Sequence, residues 1–160
     1  PLPTGSSEVS GDFVLEVDAT IVDGNVGESG DISGYGLMFG DDGAFNFFAL
    51  VIIPQGGVTL YRSGDDAGAI IPPIPLATIN PGLDATNRLR VEVRDNVITL
   101  SVNDQPITFD GQDLSSIPLP EGFSADGMAG VFLQGDSAGD LRVRFDNFRL
   151  EETPYARGVR

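Results

Sequence analysis

Along most of this chain apolar and polar residues alternate one for one. In DFVLEVDATIVD, Phe13, Leu15, Val17, Ala19 and Ile21 fall on one side and Val14, Glu16, Asp18, Thr20 and Val22 on the other. A period of two is the pattern of a strand with one face buried and one face in water. RVEVRDNVITLSVNDQPITFDG repeats the alternation in three short runs separated by Asp95-Asn96 and Asn103-Asp104. A strand meander is predicted there. Leu89, Val91 and Val93 share a face with Ile98, Leu100 and Val102, and Arg88, Arg90, Glu92 and Arg94 point outward.

Phe45 to Ile53 is apolar on both faces apart from Asn46, which predicts a central strand covered on both sides. GYGLMF precedes it, and VTLYR, Val58 to Arg62, follows a turn at Gln55-Gly56-Gly57. Further along come GMAGVFLQG, where Gly127 and Gly130 permit close backbone approach, and DLRVRFDNFRLEE, where Leu141, Val143 and Phe145 alternate with Arg142, Arg144 and Asp146. Prolines 72, 73, 75 and 81 remove ladder donors from IIPPIPLATINPG, which is expected to be an ordered loop crossing a sheet edge. The total is about nine strands spaced roughly 12 residues apart, with no helical window and no repeat of fixed period. This predicts one all-β domain over residues 12–152, with 1–11 as a linker or mature N-terminal segment and 153–160 as a C-terminal tail.

Composition narrows the chemistry. The 160 residues include no Cys and no His, and all nine basic residues are Arg. Disulfides, thiol catalysis, zinc sites and His- or Lys-based nucleophile activation are therefore excluded. The net charge of −15 opposes phosphate backbones and anionic lipid, so neither nucleic acid nor membrane insertion is expected. An acidic, cysteine-free, Gly- and Asp-rich β protein suggests a bacterial-type extracellular or cell-surface product.

The order FVLEVDATI, YGLMF, FNFFALVI, VTLYR, a Pro-rich INPG loop, NRLRVEVRDNVITLSVNDQPI and VRFDNFRL resembles jelly-roll domains of the concanavalin A-like lectin/glucanase superfamily. It is similar to the laminin-G-like and 3-keto-disaccharide-hydrolase-type members, from Asp12 to Glu151. The resemblance implies a jelly-roll β-sandwich of two antiparallel sheets. Its glucanases carry a Glu-x-Asp-x-(x)-Glu run, and Glu16 and Asp18 match the first two carboxylates, but Thr20 or Ile21 stands where the third is needed. Retaining hydrolysis requires a nucleophile and a proton donor, so the domain is expected not to be an enzyme. Glu16 and Asp18 then read as part of a solvated strand face.

The remaining candidates are for binding. Calcium takes oxygen ligands at short spacing, which points to Asp23, Asn25, Glu28 and Asp31 in the DGNVGESGD loop. The resemblance adds Asp146 on the last strand, with Glu8 or Asp12 near the N-terminus. An aromatic sugar platform could use Tyr35, Tyr61, Phe48 and Arg62, of which Tyr61 with Arg62 is the better candidate for an exposed pair and Phe48 for core. The expected role is a non-catalytic binding module with glycan as ligand. The alternatives are a structural subunit of a surface layer, filament or adhesin that docks its terminal segments on a neighbouring protein subunit, and a degenerate glycoside hydrolase-like domain.

Overall fold

A computed structural model describes residues 7–9, 11–24, 34–65, 67–134 and 141–152. The elements among them are all strands: β1 (Ser7–Val9), β2 (Phe13–Asp23), β3 (Gly34–Asp41), β4 (Phe47–Ile53), β5 (Gly57–Ser63), β6 (Gly68–Pro75), β7 (Thr86–Arg94), β8 (Val97–Val102), β9 (Gln105–Pro106), β10 (Thr108–Phe109), β11 (Gln112–Asp113), β12 (Ser116–Pro118), β13 (Gly127–Gln134) and β14 (Arg142–Glu152). The front sheet has the order β1-β13-β3-β4-β5-β6, and the back sheet β12-β8-β7-β2-β14 with β9 beside β8. Strand pairing is antiparallel throughout both. The result is the all-β domain that the alternation predicts, in the two-sheet jelly-roll form that the resemblance implies.

The core lies between the sheets and is built from the alternate positions of each strand. β2 contributes Phe13, Leu15, Val17, Ala19 and Ile21, none more than 1% exposed, against Tyr35, Leu37 and Phe39 of β3 and Phe48, Leu50 and Ile52 of β4. The meander register is as expected: Leu89 faces Val102, Val91 faces Leu100 and Val93 faces Ile98. Its two turns hold Asp95, Asn96, Asn103 and Asp104 at φ of 48°, 62°, 54° and 63°. A two-residue hairpin that matches strand twist needs both central residues in this left-handed region, which Asn and Asp reach at lower cost than other non-Gly residues.

Four expectations are corrected. The Pro-rich segment is in part a strand, β6, paired with β5 at the edge of the front sheet. Its prolines are tolerated because an edge strand has one side with no ladder to complete. The third run of the meander is reduced to the two-residue strands β9 and β10. Ser7–Val9, read as linker, pairs with β13 through Ser7–Ala129 and Val9–Gly127. The central strand begins at Phe47, leaving Phe45 81% exposed in the preceding turn at φ 65°.

A buried polar network ties the segment after β6 to the sandwich. Asn87, fully buried, donates from Nδ2 to the Tyr35 hydroxyl (2.9 Å) and the Asn80 carbonyl (2.9 Å). Its Oδ1 accepts from the Asn80 N–H (2.8 Å) and from Asn103 Nδ2 (2.9 Å). Asn103 Nδ2 also donates to the Thr78 carbonyl at 2.7 Å. Every polar atom of the Asn87 amide has a partner, so its burial leaves no uncompensated desolvation.

Candidate functional site

The alternation that sends Tyr35, Leu37, Phe48, Leu50, Ile52, Val58, Leu60, Ala129 and Val131 into the core sends the intervening residues of the front sheet outward. On the four inner strands those outward positions are Gly34, Gly36 and Met38 on β3, Phe47, Ala49, Val51 and Ile53 on β4, Thr59, Tyr61 and Ser63 on β5, and Gly130, Phe132 and Gln134 on β13. None carries a charge. Three half-buried aromatic rings meet on this face: Phe47 and Phe132 at 5.8 Å between centroids, Tyr61 and Phe132 at 6.2 Å, and Phe47 and Tyr61 at 6.5 Å. The ladder aligns small residues alongside them, with Ala49 opposite Tyr61 and Gly36 opposite Phe132. Ala49 and Val51 are fully buried although they point away from the core.

Gly36 is the tightest point of the face. A Cβ there would lie 1.8 Å from the Leu50 carbonyl oxygen, so β3 and β4 approach in a way only glycine allows. The Tyr61 hydroxyl donates to Gln134 Oε1 at 3.4 Å, and burial pushes its pKa above the usual phenol value. It therefore stays a neutral hydroxyl across the physiological range, able both to donate and to accept.

The outward face of the back sheet has the opposite chemistry. Glu16 lies within ion-pair distance of Arg88 (3.8 Å), Arg90 (3.5 Å) and Arg149 (3.3 Å). Asp18 takes a two-point contact from Arg88, Nε to Oδ1 at 2.8 Å and Nη2 to Oδ2 at 3.2 Å, and accepts from Asn147 Nδ2 at 2.8 Å. The Arg88 hydrogen bonds are the main reason the Asp18 carboxyl lies below its ordinary pKa, with Asn147 assisting and burial opposing. Glu92 bridges Arg90 and Arg94. Register explains the arrangement: Glu16 faces Arg90 on β7 and Arg149 on β14, and Asp18 faces Arg88. The two carboxylates match a glucanase-like run, yet cross-strand arginines hold them. Asp18, held ionised in this way, is a poor proton donor.

The expected ligand residues separate. Tyr61 lies on the aromatic face. Arg62, its neighbour, points to the other side of β5, as successive strand residues must. Its guanidinium sits 4.8 Å from the Phe48 ring centroid and 4.6 Å from that of Phe123, and its Nε and Nη1 are buried with no hydrogen-bond partner. Tyr35 is 1% exposed and belongs to the core, where its hydroxyl accepts from Asn87 and burial raises its pKa. Phe48 is fully buried, as expected of core. Phe47 and Phe132 were not among the expected residues. Their outward parity, on strands whose intervening residues are core, is the signal that identifies them.

Among the expected calcium ligands, Asn25, Glu28 and Asp31 lie outside the described residues. Asp23 ends β2, its Oδ1 accepting from the Gly24 N–H at 2.9 Å. Asp146 pairs with Arg144 at 2.9 Å and lies across from Asp18. Asp12 accepts from the Asp95 N–H at 3.0 Å, at the β7–β8 turn. Six residues of β2 separate Asp12 from Asp18, about 20 Å at the usual strand rise, so Asp12 and Asp146 do not converge. Among the described residues no three His, Cys, Asp or Glu side chains cluster as a metal site.

Neither known protein families nor curated protein sequences give a match to this chain. Solved structures do. Sheep galectin-11, in complex with glycerol, aligns with a TM-score of 0.61 at 16% identity over 94% of this chain and 100% of its own. The carbohydrate binding module CBM66 from Bacillus subtilis aligns at 0.63 and 19% identity, over 93% of this chain and 78% of its own. The GH43 protein BlXynB from Bacillus licheniformis aligns at 0.54 and 11% identity over 88% of this chain, which spans 27% of that protein. The likeness is one of fold, that of a two-sheet jelly-roll β-sandwich.

Proposed function

We propose that the domain is a non-catalytic, extracellular glycan-binding module and that the outward face of the front sheet is its platform. The observation that carries the reading is the cluster of Phe47, Tyr61 and Phe132 on an uncharged sheet face. Sugar rings present apolar C–H faces that pack on aromatic surface, and their hydroxyls find partners in groups such as the Tyr61 hydroxyl and Gln134. A face without cations on a chain of net charge −15 favours neutral over sulfated or uronate-bearing glycans. The B. subtilis carbohydrate binding module supports the assignment through its shared fold. The carboxylates held by arginine on the back sheet support a role without catalysis.

The test is a glycan array followed by titration of the best ligand. Tyr61→Ala is expected to weaken binding roughly 2- to 10-fold, the loss of one aromatic contact, and Arg90→Ala on the back sheet to leave it unchanged. An array without hits, or equal losses from the two variants, overturns the reading.

A further inference from the structure

Among the described residues the sandwich has four sheet edges, and they are guarded differently. β6 carries Pro72, Pro73 and Pro75, β12 is three residues long, and so is β1. Short strands and prolines protect a sheet edge, and so do charged side chains and bulges. β14 has only the second kind of protection: it is eleven residues long, contains no proline and, among the described residues, pairs only with β2. Its inward row, Val143, Phe145, Phe148 and Leu150, is only half-buried, whereas the inward row of β2 beside it is at most 1% exposed. A bulge at Asn147, φ 56°, shifts the register between Asp146 and Arg149. The outward residues are therefore Arg142, Arg144 and Asp146 before the bulge, and Arg149 and Glu151 after it.

We propose that β14 is a self-association edge that pairs antiparallel with β14 of a second copy about a two-fold axis. In such a contact residue i meets residue j and j meets i. Because the bulge switches parity, residues of one face meet only where a residue before it is set against one after it. The register that sets Asp146 against Arg149 of the partner subunit also sets Arg144 against Glu151 of the partner subunit and Phe145 against Leu150 of the partner subunit. Each pair occurs twice by symmetry. Sliding two residues either way brings Arg144 onto Arg149 or Asp146 onto Glu151, and like charges directly opposite are destabilising. In this register the outward charges are complementary and Phe145 meets Leu150 of the partner subunit on the inward side.

The partners of these charges along β14 itself release them readily, and among the described residues only Arg149 has a further partner, Glu16 on β2 at 3.3 Å. Arg144–Asp146 at 2.9 Å and Arg149–Glu151 at 3.4 Å are pairs along one strand, with side-chain exposures of 61% and 53%, and 49% and 64%. Exposed pairs of this kind contribute little to stability. The charge of −15 on each copy opposes approach, but at physiological ionic strength it is screened beyond about 8 Å, and the short-range pairs decide. The contact uses none of Phe47, Tyr61 or Phe132.

Sedimentation velocity over a concentration series at physiological ionic strength tests the proposal. The protein is expected to pass from monomer to dimer. Asp146→Arg is expected to raise the dimer dissociation constant roughly tenfold or more, because two attractive pairs become repulsive. Combining it with Arg149→Glu restores opposite charges in the same register and is expected to restore the dimer. Circular dichroism checks that each variant keeps the fold. If Asp146→Arg misfolds, Arg144→Glu, which sets Glu against Glu151 of the partner subunit, serves in its place. A protein that stays monomeric at every concentration, a dimer indifferent to the charge reversal, or a double variant that remains monomeric overturns the proposal.

Discussion

The two outward faces of this sandwich are built on the same alternation and end in opposite chemistry. On the back sheet, Glu16, Asp18 and Glu92 each find arginines on the neighbouring strand or two residues along their own, and the face closes on itself electrostatically. On the front sheet the same parity leaves Phe47, Tyr61 and Phe132 over Ala49, Val51 and Gly36, with no charge to hold water. A self-neutralised face has little left to offer a ligand, since every strong group would have to exchange a partner. An aromatic face on small residues still has contact area to give. The difference separates the proposed platform from the face that carries the carboxylates, which first suggest chemistry.

The largest expected effect comes from removing the close approach beneath the rings. Gly36→Ala should destabilise the protein by about 3 kcal/mol, at the upper end of overpacking penalties, because the added methyl meets the Leu50 carbonyl and not a movable side chain. Chemical denaturation measures it, and a loss below 1 kcal/mol would mean the two strands can part without strain. On the back sheet, Arg90→Ala should cost less than about 1 kcal/mol, since Glu16 keeps Arg88 and Arg149 and the face is solvated. A larger loss would mean the charge ladder supports the fold and not only the surface. The smallest effect is in acid. The Asp18 carboxyl titrates below its ordinary value in the folded state, chiefly through its hydrogen bonds from Arg88. That stability is complete above the unfolded carboxylate pKa of about 3.9 and is lost as pH falls through the lower folded value. Asp18→Asn should therefore lower stability modestly at neutral pH, where the contribution is complete, and flatten the further loss below about pH 4, as thermal melts across that range would register.

What the sequence discloses depends on whether the deciding contact is local. The β7–β8 hairpin is legible because its turn residues and its alternation lie within one short stretch, and the register of Leu89, Val91 and Val93 follows from both. The edge position of the Pro-rich segment is legible too, since prolines restrict it wherever the sheet puts it. Which face of β4 looks to the core is not legible: Phe47 and Phe48 are both aromatic, and only the partner strands distinguish one, stacked in the core on Phe39, from the other, facing outward with Tyr61 and Phe132. The parity switch at Asn147 is hidden for the same reason. Nothing in FDNFRL announces that Phe145 and Phe148, three apart, share a side until the β2 partner shows two residues set against one. Tyr61 and Arg62 show the reverse case, where adjacency suggests a pair and the period of two forbids it.

β2 also sets the order of events by which the molecule comes into being. Its Phe13 end is paired on one side with Val93 and on the other with Glu152, so this inner strand of the back sheet waits for ladders encoded far downstream. The front sheet is in the same position, because β3 needs β13. Closing such long loops costs chain entropy before any of the contacts are repaid. A chain leaving the ribosome can therefore form the β3–β4–β5 and β7–β8 hairpins early, but neither sheet is complete until β13 and β14 are made. Folding is then a late, collective step, and until it occurs the apolar inner faces of every early hairpin stand open to chaperones.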